Sequence, residues 1–351
     1  MNKYIPEFGI IETTLACNFN CIHCGSHAGV KRDSELSLEE LDNLFKDLKE
    51  LGCKAVSYMG GEFFLRKDWK DILELTNKYG FIFSIATNGY FLNDKIFKTL
   101  KSLGVASISF SLDSADEQTH DKLRGTKGAY KRVLKNIRKS CEYGIPTAVY
   151  TAINKQNACQ LEAILKLLLD TDLNLLWKII LTSAHNKKFD KKYQIDKETF
   201  VYTAKFISEN KKKYNTENSK LTIEESHDIG YCSEIYPNLS AIYSKTGCIG
   251  GIRHFGIQSN GNVKGCLSLQ DDFIEGNIRE KSFREIWKDK NSFSYSRKFN
   301  KKMLKGICKT CDKALSDECK GGCRDFAHSA TGSMFNTPFC LHNIEQNDNI
   351  R

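Results

Sequence analysis

Three cysteines, Cys17, Cys21 and Cys24, follow directly on the mostly apolar segment 8–15. A strand that runs into a loop with this C-x3-C-x2-C spacing points to a metal centre. Three thiolates serve a four-iron cluster and leave one iron without a protein ligand, and an iron with an open position can bind and reduce a small molecule. The alternative is a structural zinc, which takes four tetrahedral ligands. His23 is the nearest fourth donor, but its neighbours Ile22 and Cys24 leave it poor geometry to share one metal with both flanking thiolates.

Composition narrows the setting. Fourteen cysteines occur in 351 residues whose first seven hold a lysine and a proline but no long apolar run. Without a secretory signal the chain is expected in the cytoplasm, where thiols stay reduced and clustered cysteines bind metal rather than form disulfides. No run of about 18 apolar residues is present to span a bilayer. The length suits one barrel-sized domain and a smaller one. The net charge of +9 includes the runs Lys187-Lys188, Lys191-Lys192 and Lys211-Lys212-Lys213. These read as solvated surface rather than a nucleic-acid groove, which needs aromatic residues interleaved with the charges.

From residue 37 the chain alternates. Ser37-Leu38-Glu39-Glu40 is a capping box opening a helix to residue 50. Strands are expected at 55–59, 81–86, 105–112, 147–153 and 175–181, with helices at 68–78, 94–103, 130–143 and 161–169 between them. Strands alternating with helices imply right-handed crossovers and a parallel sheet. With the segment before Cys17 there are six strands, and no G-x-G-x-x-G follows any of them. Candidate site residues gather where strands end: Gly60-Gly61-Glu62, Asn88 in Thr87-Asn88-Gly89, and Ser111 with Asp113, two apart and so on one face. Asn88 reads equally as part of a tight turn. Arg124 reads also as a helix-end cation. Lys178 and His185 flank the sixth strand; Cys53, Cys141 and Cys159 lack partners of matching spacing and read as packing residues.

The cysteine run resembles the signature of the radical S-adenosylmethionine (SAM) enzymes. The resemblance implies an α/β fold with an incomplete (β/α)6 barrel of TIM type, SAM on the open iron, and a 5′-deoxyadenosyl radical from its reductive cleavage. It implies further that Gly60, Gly61 and Glu62 receive the SAM amino group, that Asn88, Ser111 and Asp113 serve its ribose or carboxylate, and that Arg124, in His120-Asp121-Lys122-Leu123-Arg124-Gly125, pairs with the carboxylate.

In the last third the alternation stops and cysteines recur as Cys248, Cys266, Cys308, Cys311, Cys319, Cys323 and Cys340. Seven thiols point to more than one site; two structural zinc sites are the alternative. The order resembles the SPASM domain, which houses two auxiliary 4Fe-4S clusters, except that the gap between Cys311 and Cys319 is longer than usual. The resemblance places Cys308, Cys311, Cys319 and Cys340 on one cluster and Cys248, Cys266 and Cys323 on the other. The second set is one ligand short: His254 fills the place, or it stays open, with Cys232 a further candidate.

The divisions expected are a barrel core at 1–186, a connecting region at 187–244 and the cluster domain at 245–351. The function implied is radical modification of a ribosomally made peptide by crosslink, thioether, decarboxylation or backbone rearrangement, with a haem precursor or aminoglycoside as the alternative substrate. An iron-sulfur electron carrier or a zinc-dependent nucleic-acid binder is the non-enzymatic alternative, for which Glu62, Ser111 and Arg124 would have no use. Expected partners are a precursor peptide, an electron donor such as flavodoxin or ferredoxin, and a separate leader-peptide-binding protein or the barrel's own surface.

Overall fold

Six apolar segments between residues 8 and 181 form adjacent strands of one parallel sheet. The computed structural model describes residues 4–182, 189–226, 229, 232–239, 247–316 and 319–347. The strands are β1 (Phe8–Glu12), β2 (Ala55–Met59), β3 (Ile82–Thr87), β4 (Ser107–Ser111), β5 (Thr147–Ile153) and β6 (Leu175–Leu181), paired in sequence order. The helices that return the chain are α1 (Leu38–Glu50), α2 (Trp69–Lys78), α3 (Asp94–Ser102), α4 (Glu117–Arg124), α5 (Ala129–Glu142) and α6 (Leu161–Asp170). The capping box at Ser37 and Glu40 forms as its spacing predicts.

Two features lie beyond the sequence reading. Helix α4 precedes α5 in the fourth crossover. The sheet is also wider than six strands. After α7 (Lys197–Tyr214), β7 (Leu221–Glu225) extends it beyond β6, while β8 (His254–Ile257), β9 (Asn262–Lys264) and β10 (Gly276–Asn277) extend it beyond β1. The ten-stranded order is β10-β9-β8-β1-β2-β3-β4-β5-β6-β7, and the barrel is not closed. The turn signal at residues 259–262 joins β8 to β9 as an antiparallel hairpin, with Gly261 in the left-handed region.

Strand side chains alternate between the helix-covered face and the barrel interior; Tyr58, Ile85, Phe110, Val149, Ile179 and Ile223 are all fully buried. The final third continues from β10 into α8 (Phe283–Lys288), α9 (Ser294–Arg297), α10 (Asp312–Leu315), α11 (Arg324–Thr331) and α12 (Leu341–Asn347). It docks on the barrel through Phe255, Phe283, Trp287 and Phe293, whose rings pack at 5.0 to 6.3 Å. Arg279 pairs with Glu40 and Arg284 with Asp47 of α1. Among the described residues no helix is long and apolar enough to cross a membrane.

Candidate active site

The cysteine loop leaves the C-terminal end of β1, the end at which parallel strands present their loops. Its neck is closed by backbone bonds from Gly29 N to Leu15 O, 2.9 Å, and from Cys17 N to Gly29 O, 3.1 Å. Within the loop each cysteine sulfur has an N–H near it. Cys17 Sγ accepts from Phe19 N and Cys24 Sγ from Ala28 N, both at 3.4 Å. Asn88 Nδ2 lies 3.9 Å from Cys17 Sγ and Arg124 Nη1 3.9 Å from Cys21 Sγ. Donors aimed at sulfur favour thiolates, the form that holds iron. Burial pushes the Cys17 thiol up to about 11 and raises that of Cys21.

A single tetrahedral zinc would draw its sulfurs to within about 3.8 Å of one another, from Zn–S bonds of about 2.3 Å. Among the described residues, the one group of three Cys, His, Asp or Glu donors lying within 4.8 Å of one another is Cys311, Asp312 and His342. The sulfurs of Cys17, Cys21 and Cys24 do not all lie within that distance of one another.

Residues 60–62 run alongside this loop. Gly61 N donates to Thr14 O at 2.7 Å and Glu62 N to Ala16 O at 2.8 Å; a Cβ on Gly61 would lie 2.0 Å from Ala16 O. Glycine is required here because the loop backbone itself approaches. Glu62 is fully buried, and its carboxylate accepts from Thr87 Oγ1 at 2.8 Å, Asn88 N at 2.8 Å and Phe64 N at 3.3 Å. Burial outweighs these donors and pushes its acid up to about 7. Asn88 reaches Asn18 Oδ1 at 2.9 Å while its own Oδ1 accepts from Tyr90 N. The bond to Tyr90 N is that of the tight turn, with Gly89 rather than Asn88 in the left-handed region.

Ser111 ends β4 half-buried, but Asp113 does not share an open face with it. Asp113 is fully buried, with Oδ2 2.7 Å from Arg124 Nη2 and 3.1 Å from His23 Nε2. Burial works to raise its acid, and the charges of Arg124 and His23 overcome this and hold it well below the usual carboxylate range. Arg124, expected at the cofactor carboxylate, here spans Asp113 and Cys21. Sequence reasoning weighed His23 only as a zinc ligand and missed its partnership with a carboxylate ninety residues on, as it missed His120, whose Nδ1 accepts from Asp113 N at 3.2 Å. At the end of α4, Gly125 is left-handed and a Cβ there would lie 2.3 Å from Asn20 O, so this helix end seats the cysteine loop.

In the last third, Cys308, Cys311, Cys319 and Cys340 line one cavity, whose wall also includes Cys323. Cys232 stands beside Cys319, whose thiol it holds down at about 7 through a hydrogen bond; it therefore belongs near the first group rather than the incomplete one. Burial pushes Cys340 up to about 12. Cys266 is also pushed up to about 12, by burial and by the neighbouring charges of Asp325 and Cys248. His254 is buried on β8 with Nδ1–H donating to Gly265 O at 3.0 Å and its ring edge-on to Phe8. Lys178 lies within β6; His185 lies outside the described residues. Cys53 is buried and packs as expected, Cys141 is half-buried, and Cys159 is exposed.

Between these groups the barrel mouth holds two adjoining cavities of about 220 and 380 Å³, sharing Gly25, Ser26, Leu267 and Ser268. The first reaches from His23 and Met59 to Thr182 and Asp325; the second is walled by Glu12, Arg32, Lys264 and Asp271. The mouth thus lies between the cysteine loop and the residues that follow Cys266.

Comparison with known proteins agrees with this geometry. Residues 11–168 match the model of the Radical SAM superfamily, and residues 248–312 match SPASM, an iron-sulfur cluster-binding domain. The chain is 28% identical over 357 aligned positions to an AdoMet-dependent heme synthase of Methanosarcina barkeri, covering 96% of this chain and 97% of that protein. It is 32% identical over 158 positions to the sporulation killing factor maturation protein SkfB of Bacillus subtilis, covering 45% of this chain and 38% of that protein. Among solved structures it matches the SAM-bound SuiB of Streptococcus suis with a TM-score of 0.72, 18% identity and coverage of 95% and 76%. It matches anSMEcpe with bound AdoMet and a peptide with a TM-score of 0.73, 18% identity and coverage of 97% and 95%. With the mouth, the sulfur donors and both domains in place, this chain is an enzyme that carries a Radical SAM domain and a SPASM domain and uses 4Fe-4S clusters and SAM.

Proposed function

We propose that this enzyme modifies a ribosomally made peptide held at the barrel mouth between the SAM-binding cluster and an auxiliary cluster. In this reading Cys17, Cys21 and Cys24 hold the first cluster. Cys308, Cys311, Cys319 and Cys340 hold one auxiliary cluster, and Cys248, Cys266 and Cys323 begin the other. When bound there, a reduced cluster and SAM would supply 5′-deoxyadenosyl radical chemistry, hydrogen-atom abstraction from the substrate, with the electron drawn from an external donor. The chain's own residues do the rest. Glu62 fixes the β3 end through Thr87 and Asn88, Gly61 seats the loop, and Arg124 and His23, anchored on Asp113, hold the loop from beneath.

The observation that carries the peptide reading is the charge of the mouth. Among the described residues lining the two cavities, the lysine and arginine are already paired. Arg32 Nε meets Glu12 Oε1 at 2.9 Å, and Lys264 Nζ bonds Leu269 O and lies 3.3 Å from Asp271. A tetrapyrrole bearing several carboxylates would need such cations unspent, because buried charges must be paired. A neutral or basic peptide segment needs none. A haem precursor is the second reading, supported by similarity to the M. barkeri heme synthase over nearly the full length of both chains.

The test is anaerobic incubation with dithionite and SAM, adding in turn a peptide encoded beside the gene and Fe-coproporphyrin III. The peptide reading expects faster 5′-deoxyadenosine formation and a mass change on the peptide. Decarboxylated tetrapyrrole instead would establish the second reading. A flavodoxin or ferredoxin of the same reducing cytoplasm is the proposed electron donor.

A further inference from the structure

The cysteines Cys248, Cys266 and Cys323 are one donor short of a closed cluster, and the fold brings an acid to them that the sequence did not single out. Asp325 lies two residues beyond Cys323, in the first turn of α11, and is 9% exposed. It lines the mouth cavity together with Leu267 and Ser268, the two residues that follow Cys266. The other donor considered, His254, donates its Nδ1–H to Gly265 O and packs its ring at 5.0 Å against Phe8 of β1, which leaves Nε2 as its one nitrogen able to ligate.

We infer that Asp325 supplies the fourth ligand of the auxiliary cluster nearest the barrel mouth. This rests on the ligand set proposed above. A carboxylate is a harder donor than thiolate or imidazole and keeps one negative charge at that iron, where a neutral imidazole would raise the potential.

The experiment uses the full chain, reconstituted without oxygen and reduced, with auxiliary signals identified by their indifference to added SAM. Protein grown on ¹³C-aspartate should show a strong ¹³C hyperfine coupling on one such signal by electron-nuclear double resonance. Asp325→Asn should remove that coupling and shift the midpoint potential of the same cluster upward, while Asp325→Cys should retain the full iron content and His254→Ala should leave the signal unchanged. An absence of ¹³C coupling in the unsubstituted protein, its persistence in Asp325→Asn, or a histidine ¹⁴N coupling lost in His254→Ala would overturn the assignment. The labelled unsubstituted protein decides the matter even where a variant fails to fold. None of these readouts needs a peptide, so failure here leaves the peptide reading standing, and failure of that reading leaves the ligand measurable.

Discussion

Two buried carboxylates beside the cysteine loop have opposite titration behaviour. Asp113 is held as an anion by Arg124 and His23, so its contribution is complete above the unfolded value near 3.8 and is lost as pH falls below it. Asp113→Asn removes one partner of a buried charged group, and the expected cost is roughly 3–5 kcal/mol of stability in denaturant titration, with weakened iron retention. Glu62 behaves in the reverse sense. Its acid rises from 4.5 unfolded to about 7 folded, so the apoprotein loses stability as pH rises from 4.5 through 7, by about 3 kcal/mol. Glu62→Gln should flatten this part of the pH–stability curve; an unchanged slope would place the effect elsewhere. Both residues were legible in the sequence as positions at strand ends. Their partners were not, because His23, Thr87 and Asn88 reach them from other crossovers.

At the scale of elements, the close approach of the cysteine loop to residues 60–62 is the tightest requirement. Gly61→Ala places a methyl 2.0 Å from Ala16 O, within the backbone of the loop, and should lower both the melting temperature and the iron bound per chain. Most elements could be read from the sequence: β5 and β6 match to the residue, and α1 starts at its expected cap. What escaped had a physical reason. Helix α4 is short and predominantly polar, with Gly125 following at once, so periodicity barely marks it. Strand β7 lies in a lysine- and asparagine-rich stretch read as a connection, and β8 is only four residues long, recognisable as barrel only by its pairing with β1.

For the molecule as a whole, the sheet is what joins the two chemistries. Strands β8 and β9 carry the Cys266 loop directly beside β1 and its cysteine loop, so the last third is not an appendage but shares a hydrogen-bonded sheet with the barrel. The domain signature of the last third was plain in its cysteine spacing, whereas this pairing across some 245 residues was invisible to local pattern. If the auxiliary centres serve the reaction, Cys319→Ala should spare SAM cleavage in the absence of substrate and stop product formation; product at the original rate would show that they are dispensable. The most direct test of the whole account is 5′-deoxyadenosine formation by the iron-loaded, dithionite-reduced protein with SAM. The account predicts its formation by the unsubstituted chain and its abolition in Cys24→Ala; no 5′-deoxyadenosine from fully loaded protein, or zinc held by Cys17, Cys21 and Cys24, would contradict it.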